Sequence, residues 1–539
     1  MVPPSATVNK QQVVSRPAPV GGLNARDPYA AMPAGDAKTL LNLIPDVGGL
    51  RVRPGYREWA INVPSDAAVR SVHAYEDITF TSVVASDPPV TIPGGLFAVT
   101  DSDILDITDT TNAPASVYTL SGSTGAGQAY STMFSNGAGQ FLILCSEEDG
   151  FLKYDGTTWA AGSTTGVSPG NLVYPLAWKR RLWFVERDST SAWYLGLDAI
   201  SGAATEFDFG PLFKHGGYLA YLASWTIDAG EGIDDLLVAV SSSGDVLVYK
   251  GTNPASDFGL VGSWFIGQIP VGRKGHCQYG GDLLLLSLDG LFPMSFVTRG
   301  GTSLLQASSK EYASKIKALF NQELRLAAGT VGWAMFLHPS ERILVVTVPT
   351  YNGLPEKQFV LNTTLNAWCQ FDNIPVLSTC FAYGYSFAGT DDGRVLLLFT
   401  GAYDNVAYGE SVGEAIYSVV QPASEYFENP IGTKQFLMIR PLFLSMDKPV
   451  VTAGIVTDFA ASARKTSDIL YRNVEVGAIW DVGLWDEGVW SDELAQYYEW
   501  VRVFGTGVSA AYRLEIRTTT NTTLLSVDYL MSQGGILHP

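Results

Sequence analysis

The sequence predicts an all-β protein: a β-propeller of about six irregular blades, a C-terminal β-sandwich-like platform domain behind it and an extended N-terminal arm in front. Three observations carry this reading. Residues 70–400 hold repeated pairs of short apolar runs joined by tight-turn signals. The chain has 55 Gly and 28 Pro but only 16% charged residues, a balance that favours strands and turns over helices. Beyond residue 400 the strands change to a plain apolar–polar alternation, as in a half-exposed sandwich.

The blades are read from their hairpins. In QFLILCSEEDGFLKY, RLWFVERDSTSAWYLGL, DLLVAVSSSGDVLVYKG, GDLLLLSLDGLFPMSFV and SFAGTDDGRVLLLF, a strand of about six residues meets a turn and returns as a second strand. Such units recur every 35–60 residues or so, whereas sandwich strands recur every 8–12 or so without a longer period. One segment breaks the pattern. Ser308-Ser309-Lys310-Glu311 has capping-box spacing, and Tyr312, Ile316, Leu319, Phe320 and Leu324 recur at three and four residues, so a helix near 308–326 is expected to cover an edge.

The ends are read from composition and turn signals. Residues 1–20 lack periodicity and form the arm, which is expected to gain order by lying on another subunit. Residues 21–69 are turn-rich and expected to pack on the platform, with one short helix over Ala37–Leu43 capped by Asp36. FLMIRPLFLSM, VTAGIVTDF, YEWVRVFGTG, YRLEIRTTT and TLLSVDYLM supply the strands of the platform, residues 401–539.

Charge narrows the function. With 34 Lys+Arg against 53 Asp+Glu, the net charge of −19 argues against a protein that wraps nucleic acid by neutralising phosphates. A wall past which a polyanion slides is compatible with it. No apolar stretch follows the few N-terminal charges, and no run approaches the ~20 apolar residues of a membrane span, so neither a signal peptide nor an anchor is expected. Cys145, Cys277, Cys369 and Cys380 share no metal or redox spacing and read as thiols of a protein made in a reducing cytoplasm.

The residues that enzymes require do not come together in the sequence. His73, His215, His276, His338 and His538 form no zinc-type spacing, and there is neither a Gly-x-Ser-x-Gly elbow nor a phosphate-cradling loop. Asp101, Asp103, Asp106 and Asp109 lack the Gly and Glu of a calcium loop and read as a solvated strand and turn. YDGTTW, Tyr154–Trp159, differs from the Asp-box order and reads as a hairpin turn. No catalytic residue, metal or cofactor is therefore expected. Trp480, Trp485 and Trp490 stand five apart in a Gly-rich acidic loop. They are candidate anchors pinning that loop to a neighbouring surface, with sugar stacking as the alternative.

Residues 21–60 carry a further signal. Gly21, Gly22, Leu23, Asn24, Asp27, Pro28, Met32, Pro33, Asp36, Ala37, Leu40, Asn42, Pro45, Gly49, Arg53, Pro54, Gly55 and Tyr56 stand in an order that resembles the opening of the nozzle proteins of short-tailed bacteriophages. These are also called tail tubular protein B or packaged-DNA stabilisation proteins. LNTTLNAWCQFDN at 361–373 and the terminal YLMSQGGIL are similar to the same family. The resemblance implies a propeller in each subunit and a homohexameric ring below the portal and adaptor, in the virion tail. Tail fibre, spike or needle proteins would dock on the ring, and double-stranded DNA would pass through it without specific binding. The alternative is a tail-associated glycan-binding or glycan-degrading propeller.

Overall fold

The computed structural model describes residues 11–60, 67–76, 92–228, 233–298, 313–351, 356–460, 464–469 and 494–536. The chain has a six-blade β-propeller arrangement. Four blades are four-stranded antiparallel sheets formed within residues 71–119, 129–161, 172–208 and 219–265. A fifth, of three strands, spans 276–293, and the sixth takes three strands from 378–398. The first strand of each blade lines the axis, and each blade buries apolar side chains against the next. Ile143, Phe151, Leu182 and Phe184, for example, form one cluster between the second and third.

Two departures from regular repetition position the rest of the molecule. The sixth blade borrows its outermost strand, Tyr56–Glu58, from the N-terminal side: Tyr56, Arg57 and Glu58 pair with Leu398, Leu397 and Leu396. The ring is thus closed by a segment far away in sequence. A four-stranded unit, residues 334–372, sits between the fifth and sixth blades and touches the inner strands of both. Its outer strand, Ala367–Asp372, does not end a blade. It continues through Ala37–Leu41 into Glu414–Pro422, Ala510–Thr518, Val450–Thr457 and Arg464–Asp468, a ten-stranded sheet once the short Tyr403–Asp404 is included. Propeller and platform therefore share one hydrogen-bonded sheet.

The platform's second sheet is built on two long strands, Gly432–Ser445 and Thr522–Ile536, flanked by Leu43–Asp46, Gly49–Val52, Ala495–Tyr498 and Val501–Gly507. Alternation does what the sequence predicts. Val501 and Val503 are buried while Arg502 and Phe504 face out, and Ile439, Phe443, Leu514, Ile516 and Val527 close a shared core between the sheets.

Three expectations need correction. Ala37–Leu43 is not a helix: Ala37–Leu41 and Leu43–Asp46 are strands, broken at Asn42 with φ 56°. The first of them pairs with strands on both sides, Leu41 with Gln370 and Val419, and this pairing overrides local helix preference. Asp36 is accordingly not a helix cap. The described part of the arm gains its order on its own chain: Gln11–Pro17 runs antiparallel to Thr522–Ile536, from Gln11 opposite Ser532 to Pro17 opposite Ser526. Its side chains are mostly exposed, so the order comes from the backbone ladder rather than from burial. The helix near 308–326 runs over Lys317–Ala327, with Phe320 and Leu324 buried as its periodicity requires. The capping-box residues 308–311 lie outside the described residues.

Candidate functional site: the propeller–platform junction

Residues 21–56, scattered along turns in the sequence, converge at the junction. Its centre is Arg53, whose side chain is 0% exposed. Nε donates to Asn42 Oδ1 at 2.9 Å, Nη1 to Asp404 Oδ1 at 2.7 Å and to the Pro54 carbonyl at 3.1 Å, and Nη2 to Asp404 Oδ2 at 2.7 Å and the Asp372 carbonyl at 3.1 Å. All five guanidinium N–H donors are satisfied, two of them in a bidentate pair, and this makes a buried charge tolerable.

Asn42 is the second hub. Its backbone turns through the left-handed region between two strands, a conformation that Asn tolerates better than most residues. Its Nδ2 donates to the Asp372 carboxylate and to the Tyr417 carbonyl, while its Oδ1 also accepts from the Asp372 backbone N–H at 3.0 Å. One side chain thus touches the four-stranded unit 334–372, the platform strand 414–422 and Arg53. Burial pushes the Asp372 carboxyl up, with the bond from Asn42 acting against it. Tyr56, beside this cluster, is buried and held neutral by desolvation.

A second knot lies at the start of the segment. Asn24 Nδ2 donates to Asp36 at 2.7 Å and to Asp27 at 2.8 Å, and Asn24 Oδ1 accepts from the backbone N–H of Arg26 and Asp27. Asp36, nearly fully buried, takes the Lys315 ammonium at 2.8 Å, and Lys315 also donates to the Gly21 carbonyl at 2.9 Å. Hydrogen bonds from Arg26 and Asn24 hold the Asp27 carboxyl down at about 2. Leu23 donates its N–H to the Trp368 carbonyl at 2.6 Å, Ala37 bridges to Leu23, and Asn362 donates to the Pro45 carbonyl at 2.8 Å. Pro28 opens the turn in which its carbonyl accepts from Ala31.

Two glycines are demanded by space. Gly22 has φ 83°, and a Cβ there would stand 2.7 Å from the Trp368 nitrogen. A Cβ on Gly55 would stand 1.8 Å from the Tyr403 carbonyl oxygen. The order of residues that resembles the nozzle family is, in physical terms, a set of close approaches and buried polar bonds. Their partners Lys315 and Asp404 carry no local signal, and Asp372 lies in the separate passage 361–373; only the fold brings the three here.

The remaining candidates separate. Asp101, Asp103, Asp106 and Asp109 have separate partners: Asp101 accepts from the N–H groups of Gly125 and Gly127, and Asp109 from Thr111 and Asn112. Asp155 of YDGTTW closes its hairpin by accepting from Thr157 and Thr158. Among the described residues no group of three or more His, Cys, Asp or Glu could hold a metal ion, and no helix is long and apolar enough to cross a membrane. Cys145, Cys277, Cys369 and Cys380 are free thiols. Trp480, Trp485 and Trp490 lie outside the described residues.

No family model matches the chain, and no curated protein does. Among solved structures it is similar to the computationally designed Ika8 protein, with 11% identity over 64% of this chain and 99% of that one and a TM-score of 0.35. It is also similar to BBS1N, solved in complex with ARL6DN, with 12% identity over 66% and 100% and a TM-score of 0.38. Raptor of Chaetomium thermophilum gives 11% identity and a TM-score of 0.39 over 66% of this chain, which spans 29% of the Raptor chain. Nothing about function follows from these likenesses.

Proposed function

We propose that this chain is a structural subunit of a short phage tail, forming a ring-shaped nozzle of six copies that continues the DNA channel below the portal and adaptor. The ring retains packaged DNA and conducts it during ejection, and its outer surface receives fibre, spike or needle proteins. It is made in the host bacterial cytoplasm and works in the virion tail without catalysis. The observation that carries this reading is the junction. Residues 21–56, where the sequence resembles nozzle proteins, weld propeller to platform through Arg53, Asn42 and Asp36. A conduit wall under the load of packaged DNA needs its domains fixed to one another. The charge of −19 supports it further, since a lumen of Asp, Glu, Ser and Thr repels a duplex that carries one charge per ~1.7 Å.

Electron microscopy of the assembled particle tests the reading. A sixfold ring, or a twelvefold one reduced by pairing, with DNA on its axis is expected. Another symmetry, or a continuous stripe of Lys and Arg along the lumen, overturns it.

A further inference from the structure

The helix Lys317–Ala327 buries Phe320, Leu324 and Ala327 and turns its other face to an open groove of about 830 Å3, which Ala25 and Arg26 also line. Lys317, Asn321 and Arg325 follow one another along this face at intervals of four, so they form one stripe with successive Cα atoms ~6 Å apart along the axis. With Arg26 they give the groove three basic groups, and among the described residues no Asp or Glu lines it. Glu323, the acid of this helix, is buried elsewhere and takes bonds from Lys357 at 2.8 Å and Tyr351 at 2.7 Å. On a chain of net charge −19, a basic groove selects an acidic occupant. Two further features narrow its kind. Asn321 Oδ1 is buried without a partner, and Leu326, on the groove's lining, is 57% exposed. Carboxylates, a backbone N–H and an apolar side chain come together in an acidic peptide.

The chain carries such a peptide. The stretch 481–494, DVGLWDEGVWSDEL, holds Asp481, Asp486, Glu487, Asp492 and Glu493 without a Lys or Arg, and Trp485 and Trp490 stand among them. All of it but Leu494 lies in 470–493, outside the described residues. It rejoins the described chain at Leu494, which is 47% exposed, so it leaves from the surface. Tethered at both ends, residues 470–493 can extend ~40 Å from their anchors, far enough to meet a neighbouring molecule. The segment that precedes the helix is a poor match: 299–312 has Arg299 and Lys310 against Glu311 alone.

We infer that the groove beside Lys317–Ala327 receives the acidic tryptophan segment 481–494 of a second copy of this chain, with Arg26, Lys317 and Arg325 facing its carboxylates and Leu326 and Ala318 facing its indoles. The contact requires neither a particular number of copies nor DNA, so it is tested apart from the proposed channel. The probe is a fluorescein-labelled peptide of residues 481–494, titrated into the full-length chain carrying Asp486→Asn, Glu487→Gln, Asp492→Asn and Glu493→Gln, whose own segment no longer competes. Saturable binding by anisotropy is expected. Arg325→Glu should weaken it at least tenfold and Leu326→Ser about threefold or more; both residues are exposed, so both variants should fold. In sedimentation velocity the unsubstituted chain should associate as its concentration rises. Arg325→Glu should abolish this association, and Asp486→Arg with Glu487→Arg in the same chain should restore it. No saturable binding, parent-like affinity in Arg325→Glu, or equal binding of a peptide whose acids are replaced by Asn and Gln overturns the inference. Displacement of the probe by a peptide of residues 299–312 assigns the groove to that segment and overturns it too. An unsubstituted chain that stays monomeric, yet binds the probe only when its own acids are neutralised, seats the segment in its own chain and overturns the contact between copies.

Discussion

In the second blade every strand pairs with its neighbour in the chain, Ala129–Asn136 with Gly139–Ser146 and that with Gly150–Tyr154. In the platform Ala37–Leu41 pairs with Gln370 and with residues 419–422, and Gln11–Pro17 pairs with residues 526–532. The blade is a sum of local hairpins, each closing a short loop. The platform is assembled from segments hundreds of residues apart, whose loop-closure entropy is met only when all of them meet together. What welds the two is accordingly a polar network of high specificity rather than one more hairpin.

That contrast is open to attack, first at Arg53. Arg53→Met leaves Asp404 buried and unpaired, and a loss of about 3–5 kcal/mol is expected. Hydrogen exchange should show protection lost at residues 37–41 and 403–404, with the blade 129–161 keeping its own. Equal loss in that blade would break the comparison. Arg53→Met combined with Asp404→Leu should recover much of the stability in thermal unfolding, because an apolar pair removes the stranded charge.

Gly55→Ala comes next. The added methyl meets the Tyr403 carbonyl oxygen, and a backbone shift costing about 1–3 kcal/mol is expected. Urea unfolding of this variant beside Gly35→Ala, where a Cβ meets nothing within 4 Å, reads the difference.

Acid sharpens the comparison from the propeller side. Desolvation lowers the His276 imidazole to about 4 and lowers His73 well below its ordinary value of 6.5. Both are neutral in the fold, whereas an unfolded chain takes up protons near pH 6.5, so their contribution is full above that pH. For His276 it is lost as pH falls from about 6.5 toward about 4. Tm recorded between pH 7.5 and 5 should decline, and His276→Phe should flatten the decline. An unchanged slope would remove His276 from the account.

The smallest effect is expected at the arm. Gln11–Pro17 is mostly exposed, and Arg16 pairs with Glu425 at partial exposure. Deleting residues 1–17 should therefore cost less than about 2 kcal/mol in denaturant unfolding, and Arg16→Ala no more than about 1 kcal/mol. A deletion as damaging as Arg53→Met would make the arm part of the weld.

The same contrast explains what could be read without the structure. Hairpins such as DLLVAVSSSGDVLVYKG declare both strands and the turn within about twenty residues, since the pairing is local. Ala37–Leu43 has no such turn, and its partners are remote, so its apolar residues gave a helical reading that long-range pairing overruled. The junction was half legible. Gly22, Asn42, Arg53 and Gly55 stand out as turn and charge residues, but nothing near them names Lys315, Asp372 or Asp404.

By itself the sequence determined the all-β class, the repeated antiparallel hairpins and the sandwich-like end. Each of these follows from side-chain alternation and turn chemistry acting over a few residues. Tertiary structure alone decided that Tyr56–Glu58 closes the ring, that Ala367–Asp372 runs on into the platform sheet, and that the described arm lies on its own chain. Those outcomes depend on which edges and charges meet after closure of loops hundreds of residues long, and no local pattern encodes such a meeting.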